Sequence, residues 1–360
     1  MAVEFHRLKI AGIRRETAEA VSIAFAVPPA LADAYKFTPG QHLTLRTQAN
    51  WRELRRSYSI CAGLDDGELR VAVKRVEGGA FSIYANDKMK PGDTIEVMTP
   101  QGRFGIMPDP AVARSYLAVA AGSGITPMMS ILKSVLTREP HSRLVLIYGN
   151  RTAQSIIFRD VLADLKDRHL DRLAIHHVLS REPQEVPLLS GRIDGDKIET
   201  LMRAGTPAES IDDAFLCGPG ALIANSKAAL ERLGVSAERI HVEYFSTDGM
   251  PVEPRAVRRT ATTPSAPPIA TAAITLAGAH HDIPVLAGET IVEAGLRAGL
   301  DMPYSCRGGM CCTCRAMLLE GEVVMDQNYS LERWEMEAGY VLTCQSHPTT
   351  ARVAVDYDHV

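Results

Sequence analysis

The chain has 360 residues, and at roughly 100–200 residues per domain that length predicts two or three domains. Hydrophobic residues make up 46% and charged residues 23%, an ordinary globular balance that excludes collagen-like, fibrous and wholly disordered classes. The net charge of −4 argues against a general nucleic-acid binder, which needs a basic face to displace counterions from phosphate.

The opening stretch Met1 to Ile10 carries Glu4, Arg7 and Lys9 where a secretion signal needs an apolar segment, so a cytoplasmic location is expected. Residues 1–106 hold short runs rich in Val, Ile, Leu and Tyr, among them Gln41 to Leu45, Tyr58 to Ile60 and Leu69 to Val73. Turn signals at Pro39-Gly40, Asp65-Asp-Gly67 and Pro91-Gly-Asp93 separate them, the pattern of a small antiparallel β-barrel.

Residues 107–245 change texture. Strand candidates Tyr116–Ala120, Leu144–Tyr148, Ala174–Leu179 and Ala214–Cys217 alternate with helical runs that end near Leu136, Lys166 and Leu233, which predicts a parallel sheet covered by helices. The most apolar stretch, Tyr116 to Leu132, is broken by Gly122, Gly124 and Pro127 and reads as strand, loop and helix rather than a membrane span. That loop, Gly122-Ser-Gly124-Ile-Thr126-Pro127, allows a tight turn and close approach of a pyrophosphate to a helix N-terminus. Proline stands where the third glycine of a dinucleotide fingerprint is usual, and proline suits the first turn of a helix. Asn150-Arg151 and Ser180-Arg181 follow the next two strands. Arginine there can clasp a 2′-phosphate, and no acid occupies these spots to favour a free ribose hydroxyl, so NADPH is expected, with NADH possible.

Residues 246–270 contain five prolines and almost no large apolar side chain, and are read as a linker. Residues 271–360 resume folded texture, with strand candidates at Ala273–Leu276 and Arg352–Val355 and a helix over Thr290–Ala298. Five of the seven cysteines lie here. Four residues separate Cys306 from Cys311, two separate Cys311 from Cys314, and 29 separate Cys314 from Cys344, the plant-type [2Fe–2S] spacing. Gly308 and Gly309 let the loop backbone pass close to the inorganic sulfides, and the run Gly339 to Gln345 offers a separate strand for the fourth thiolate. A structural zinc site of four cysteines is the alternative, although such sites favour two close cysteine pairs. Cys312 inside the triplet is read as a small filler, with an alternative ligand or an oxidation-sensitive thiol as the other readings, and Cys61 and Cys217 as buried small hydrophobes.

These residues together carry a resemblance. Arg56-Ser57-Tyr58-Ser59, Lys74-Arg-Val-Glu-Gly-Gly79-Ala80-Phe81-Ser82, the Gly122 loop, Cys217-Gly218-Pro219 and Glu243-Tyr-Phe245 look like the ferredoxin–NADP reductase superfamily, and Tyr304 to Cys314 resembles a plant-type ferredoxin. The resemblance implies a multidomain fold: an antiparallel β-barrel for FAD, an α/β parallel-sheet domain for a nicotinamide nucleotide, and a β-grasp [2Fe–2S] domain. It places Arg56 on the flavin diphosphate, Tyr58 on the isoalloxazine and Ser59 near its reactive nitrogen, with Ser57, Val73, Lys74 and the amides of Gly79, Ala80, Phe81 and Ser82 completing the site. Ser59, Cys217 and Glu243 form the implied catalytic group. Cys217, Gly218 and Pro219 line the nicotinamide pocket, and Phe245 stands where relatives often carry a stacking tyrosine.

The implied activity is electron transfer from NAD(P)H through FAD and the cluster to an oxygenase. Within that superfamily the chain resembles reductase components serving diiron oxygenases that epoxidise an aromatic acyl-CoA. A reductase for another aromatic-ring mono- or dioxygenase is the alternative, and a non-catalytic zinc-binding scaffold a more distant one. No residue here suits the oxygenation itself, and neither nucleic acid nor membrane is an expected partner.

Overall fold

The computed structural model describes residues 4–49, 52–205, 210–246 and 267–359. They fall into two compact units, one built mainly from the elements up to residue 246 and one mainly from those after residue 267.

In the first unit, β1 (Phe5–Thr17), β2 (Ala20–Ala26), β3 (His42–Ala49), β4 (Arg52–Ser59), β5 (Leu69–Lys74) and β6 (Thr94–Met98) form one sheet in the order β4-β3-β6-β1-β2-β5. An antiparallel bridge from Ile60 to Val71 joins the two outermost strands, so the sheet closes as the turn pattern predicts. Strand alternation separates the faces: Val21, Ile23 and Phe25 of β2 enter the barrel core with Leu8, Leu43, Leu45, Val71 and Val97. Helix α1 (Ala80–Asp87) packs Phe81 and Ala85 against the same core.

The same unit continues with β7 (Ser115–Ala121), α2 (Ile125–Arg138), β8 (Arg143–Asn150), α3 (Arg159–Arg168), β9 (Leu173–Leu179), α4 (Gly195–Gly205), β10 (Asp213–Pro219), α5 (Gly220–Arg232) and β11 (Ile240–Ser246). The five strands are parallel in the order β11-β10-β7-β8-β9. β7 shows why both faces need helices: Tyr116, Ala118 and Ala120 enter one core, while Leu117 and Val119 enter the other. Helix α2 fills the first with Ile125, Met128, Met129 and Leu132, and α4, which the sequence pattern does not announce, fills the second with Ile198, Leu201 and Met202. Lys133 and Arg138 of α2 pair with Asp66 and Asp65 of the loop before β5 at 2.6 and 2.9 Å, and Ser134 Oγ accepts from the Leu64 amide at 3.0 Å. These contacts hold the parallel sheet against the barrel.

The second unit contains β12 (Ala270–Leu276), β13 (Ala279–Val285), α6 (Ile291–Arg297), β14 (Arg315–Glu320), β15 (Val323–Met325), α7 (Arg333–Glu337), β16 (Tyr340–Leu342), β17 (Ser346–Pro348) and β18 (Arg352–Asp356). The main sheet runs β13-β12-β18-β14-β16, with β12 and β18 parallel and the other pairings antiparallel. Thr290 caps α6 and Glu293 reaches back to the Thr290 amide, a reciprocal capping box that starts the helix one residue after the expected point. One expectation is corrected: Cys344 lies in the turn between β16 and β17, not in a strand. The Gln345 amide donates back to the Leu342 carbonyl and closes that turn at 2.8 Å.

Of the expected linker, residues 247–266 lie outside the described residues, whereas Ser246 ends β11 and Ala270 begins β12. Among the described residues, no helix is long and apolar enough to cross a membrane.

Candidate functional site

The carboxyl ends of the parallel strands assemble one site. β7 delivers Gly122 and Gly124, β8 delivers Asn150 and Arg151, β9 delivers Ser180 and Arg181, and β10 delivers Cys217, Gly218 and Pro219, the edge where open α/β sheets bind ligands. Gly122 adopts φ +54°, and its carbonyl accepts from the Tyr148 hydroxyl at 2.8 Å. A Cβ on Gly124 would lie 2.2 Å from the Cys217 carbonyl oxygen, so only glycine lets the turn pass this close to β10. Thr126 is buried and donates to the Ser123 carbonyl at 3.0 Å, and Pro127 is buried in the first turn of α2. Both therefore build the turn with side chains that face inward. The amides of Ser180 and Arg181 donate to the carbonyls of Asn150 and Arg151, joining the two strand ends.

Two observations test whether a dinucleotide fits. The buried Asn150 side chain lies beside the Tyr148 hydroxyl, and its Nδ2 makes no well-formed hydrogen bond among the described residues, leaving donor capacity at the edge where a ligand would sit. Lys74, from the end of β5, brings its ammonium to 3.4 Å from the place a Gly122 Cβ would take. Burial, then the nearby Arg151 guanidinium, hold its pKa below the usual lysine range. Two cations converging beside a glycine turn suit an anionic ligand.

Ser59, Cys217 and Glu243 come together in space. Cys217 and Glu243 are register partners on β10 and β11, and the Cys217 thiol lies 3.9 Å from Glu243 Oε2. Ser59, at the end of β4, donates to the same oxygen at 3.1 Å. Burial pushes the Glu243 carboxyl up to about 7, against the opposing pull of the bonds from Ser59 and Cys217. Burial, then the adjacent carboxylate, push the Cys217 thiol up as well. A carboxyl poised near neutrality, held by a hydroxyl, can store and return a proton.

On the barrel side, Tyr58 of β4 meets Phe81 of α1 with ring centroids 5.4 Å apart. Val73 is buried and its carbonyl accepts from Asn86. Gly79 precedes α1 in an extended conformation, and no side chain caps the helix. Ser82 Oγ instead accepts from the Val76 amide at 3.0 Å and donates to the Gly79 carbonyl at 3.1 Å, folding the Glu77–Gly79 turn back. A Cβ on Gly79 would meet Ser82 Oγ at 2.5 Å. The first turn of α1, over Ala80, Phe81 and Ser82, thus leaves a compact amide-lined cradle that fits a diphosphate. Arg56 and Ser57 lie on β4 beside Tyr58; the Arg56 side chain is exposed and donates to the Arg55 carbonyl at 2.6 Å. Phe245 is 36% exposed near the end of β11.

The four cysteines of the second unit fall into two neighbouring pairs, Cys306 beside Cys311 and Cys314 beside Cys344, each close enough for one thiol to shift the other's pKa. The Cys311 thiol, with the amides of Gly308, Met310 and Cys311, holds Cys306 below the usual thiol range, at about 6. The Cys314 thiol, with Gln345 among the further donors, holds Cys344 down in the same way. Their partners Cys311 and Cys314, as donors within each pair, are pushed up. Two pairs suit a centre of two irons with two thiolates each. No group of three or more ligating side chains gathers around a single-ion point among the described residues. The Gly308 and Met310 amides reach the Cys306 sulfur at 3.3 and 3.5 Å, the backbone donation the loop glycines make possible. Cys312 is partly buried at φ +53°, while Cys61 and Cys217 are buried as expected.

Sequence reading missed Gln345, whose side-chain amide reaches the Cys344 sulfur at 3.4 Å, and Asn86, which ties α1 to β1 by accepting from Arg15. Neither stands in a motif whose spacing signals it.

Three family models match the chain: "Oxidoreductase FAD-binding domain" over residues 10–106, "Oxidoreductase NAD-binding domain" over 118–228, and "2Fe-2S iron-sulfur cluster binding domain" over 274–349. The chain is 46% identical over 355 residues to a subunit of the 1,2-phenylacetyl-CoA epoxidase of Escherichia coli K12, covering 98% of each chain. It is 34% identical over 353 residues to the ferredoxin reductase component of 3-ketosteroid-9-alpha-monooxygenase of Rhodococcus rhodochrous, covering 97% of this chain and 96% of that one. Among solved structures, phthalate dioxygenase reductase shares the fold with a TM-score of 0.59 at 24% identity, covering 98% of both chains. The chain belongs to the ferredoxin–NADP reductase superfamily, among the oxygenase reductases with a C-terminal [2Fe–2S] domain, and is an NAD(P)H-dependent oxidoreductase using FAD and a [2Fe–2S] cluster.

Proposed function

We propose that this chain is the reductase component of a multicomponent phenylacetyl-CoA 1,2-epoxidase, taking electrons from NADPH in the cytoplasm and passing them to a diiron oxygenase. The observation that carries this reading is the 46% identity to the epoxidase component of E. coli over 98% of both chains. NADPH is favoured by Arg151 and Arg181 at adjacent strand ends, where two guanidinium forks can hold a 2′-phosphate. Five of the seven cysteines lie between Cys306 and Cys344 at metal-ligand spacing, a usage that suits a reducing compartment.

Bound FAD supplies the conversion from two-electron hydride chemistry to single electrons, and the cluster the one-electron relay. The chain's own residues do the rest. Gly122, Gly124 and Asn150 receive the nucleotide at the sheet edge, with Lys74 beside the Gly122 turn facing its pyrophosphate. Tyr58 and Arg56 orient the flavin from β4, and the amides of Gly79 to Ser82 face its diphosphate. Ser59 and Glu243 hold an exchangeable proton between Oγ and Oε2, and Cys217 borders them. Cys306, Cys311, Cys314 and Cys344 ligate the cluster.

The test is reconstitution: the purified holoprotein, mixed with the epoxidase's oxygenase component, NADPH and phenylacetyl-CoA, yields the ring epoxide at a rate that follows reductase concentration. No product under these conditions overturns the assignment, and turnover only with a steroid or other aromatic-ring oxygenase reassigns the partner. Calorimetry of phenylacetyl-CoA with this chain alone is expected to show no binding.

A further inference from the structure

Gln345 follows the fourth cysteine ligand and is only 7% exposed. Its Nε2 lies 3.0 Å from the Arg307 carbonyl oxygen, 2.9 Å from the Cys344 carbonyl oxygen and 3.4 Å from the Cys344 sulfur. Two carbonyl acceptors within 3.0 Å leave no choice about which end of the amide faces them, so the nitrogen, not the oxygen, is turned toward the sulfur. One N–H goes to Arg307, in the loop that carries Cys306, and the other is shared between the carbonyl and sulfur of Cys344. The side chain also supports that loop: a Cβ on Gly309, at φ +73°, would lie 3.5 Å from Gln345 Cγ. A single buried side chain thus spans from the first ligand's loop to the fourth ligand's sulfur.

We propose that Gln345 is a positioning residue that sets the reduction potential of the iron–sulfur centre, by donating an N–H to the Cys344 sulfur while clamping the Cys306 loop above it. The proposal rests on the assignment of the cluster to Cys306, Cys311, Cys314 and Cys344. Reduction adds one electron from the flavin and makes and breaks no bond, and the added charge is spread over the thiolate and sulfide sulfurs. A donor aimed at one of those sulfurs stabilises the reduced form more than the oxidised one and raises the potential. The backbone amides on Cys306 act in the same sense on the other pair.

The test is a redox titration of the purified holoprotein, followed by cluster absorbance and electron paramagnetic resonance, with iron and FAD content measured in parallel. Gln345→Met keeps length and apolar volume and removes the donor; Gln345→Glu keeps the shape and turns an acceptor toward the sulfur. Both are expected to keep two irons per chain and to shift the one-electron equilibrium between flavin and cluster toward the flavin. The expected shift is about tenfold for Gln345→Met, equivalent to ~59 mV for a one-electron couple, and larger for Gln345→Glu. An unmoved potential in both variants with iron intact overturns the proposal. Loss of iron in both also overturns it, assigning Gln345 to cluster assembly. A wild-type protein without a two-iron signal overturns the cluster assignment itself, an outcome the iron analysis separates from the other two.

Discussion

Glu243→Gln removes one ionisable group from the Ser59–Glu243–Cys217 contact and leaves its shape in place. Burial pushes the Glu243 carboxyl up to about 7 from an ordinary 4.5. A carboxyl with a folded-state pKa above its unfolded value binds its proton more tightly when folded. Stability therefore falls as pH rises from the unfolded pKa through the folded one, and the loss is complete above it. At 1.36 kcal/mol per pKa unit the ceiling is about 3 kcal/mol, and partial solvent access to the residue reduces this to roughly 2 kcal/mol. The wild type is thus expected to lose about that much stability between roughly pH 5 and pH 9 through this group. The glutamine variant should match it at the acid end and exceed it at the alkaline end. Urea unfolding of the holoprotein at both pH values, followed by flavin fluorescence on release, measures the difference. In stopped flow, the pH profile of flavin reduction by NADPH should show an inflection near 7 in the wild type that is absent from the variant. Parallel stability slopes, or an inflection surviving in the variant, would refute the assignment of a near-neutral titration to Glu243.

The other expectations concern the two ends of the electron path. Gly124→Ala drives a Cβ into the Cys217 carbonyl at 2.2 Å. Because backbone cannot rotate away as a side chain can, about 1–3 kcal/mol of stability should be lost and the KM for NADPH should rise while FAD content holds. Unchanged NADPH affinity, measured beside thermal unfolding, would contradict the close turn. Arg151→Ala should raise the KM for NADPH by about tenfold and leave that for NADH nearly unmoved; equal effects on both would remove the 2′-phosphate from the argument. Iron analysis should find the cluster intact in Cys312→Ser and lost in Cys314→Ser and Cys344→Ser, and iron loss in Cys312→Ser would make that residue a ligand.

Several of these features were readable before any tertiary contact was known. The spacing Cys306, Cys311, Cys314, Cys344 states a cluster because three thiolates on one loop depend on backbone geometry within nine residues. The Gly122–Pro127 turn is similarly local, and the capping box at Thr290 and Glu293 marks the start of α6 within four residues. The alternation in Tyr116 to Ala120 already separates two faces of a strand. Cys344 sits in a turn and not in the expected strand, because an apolar run such as Tyr340–Leu342 does not reveal where pairing stops.

What needed the folded chain is every contact whose partners are distant in sequence. Ser59 and Glu243 are 184 residues apart and meet only because β10 and β11 pair in the register Cys217 to Glu243 and the barrel packs against that sheet. The rise of the Glu243 pKa follows from that burial. Gln345 has no motif of its own and acquires meaning because the turn after β16 brings it under a loop 38 residues away. Local sequence determined which chemical groups this protein owns and the short turns that present them. Strand register and packing decided which groups share a low-dielectric space, since the energy of a hydrogen bond or a buried charge depends on distance and desolvation, and neither is encoded in residue spacing alone.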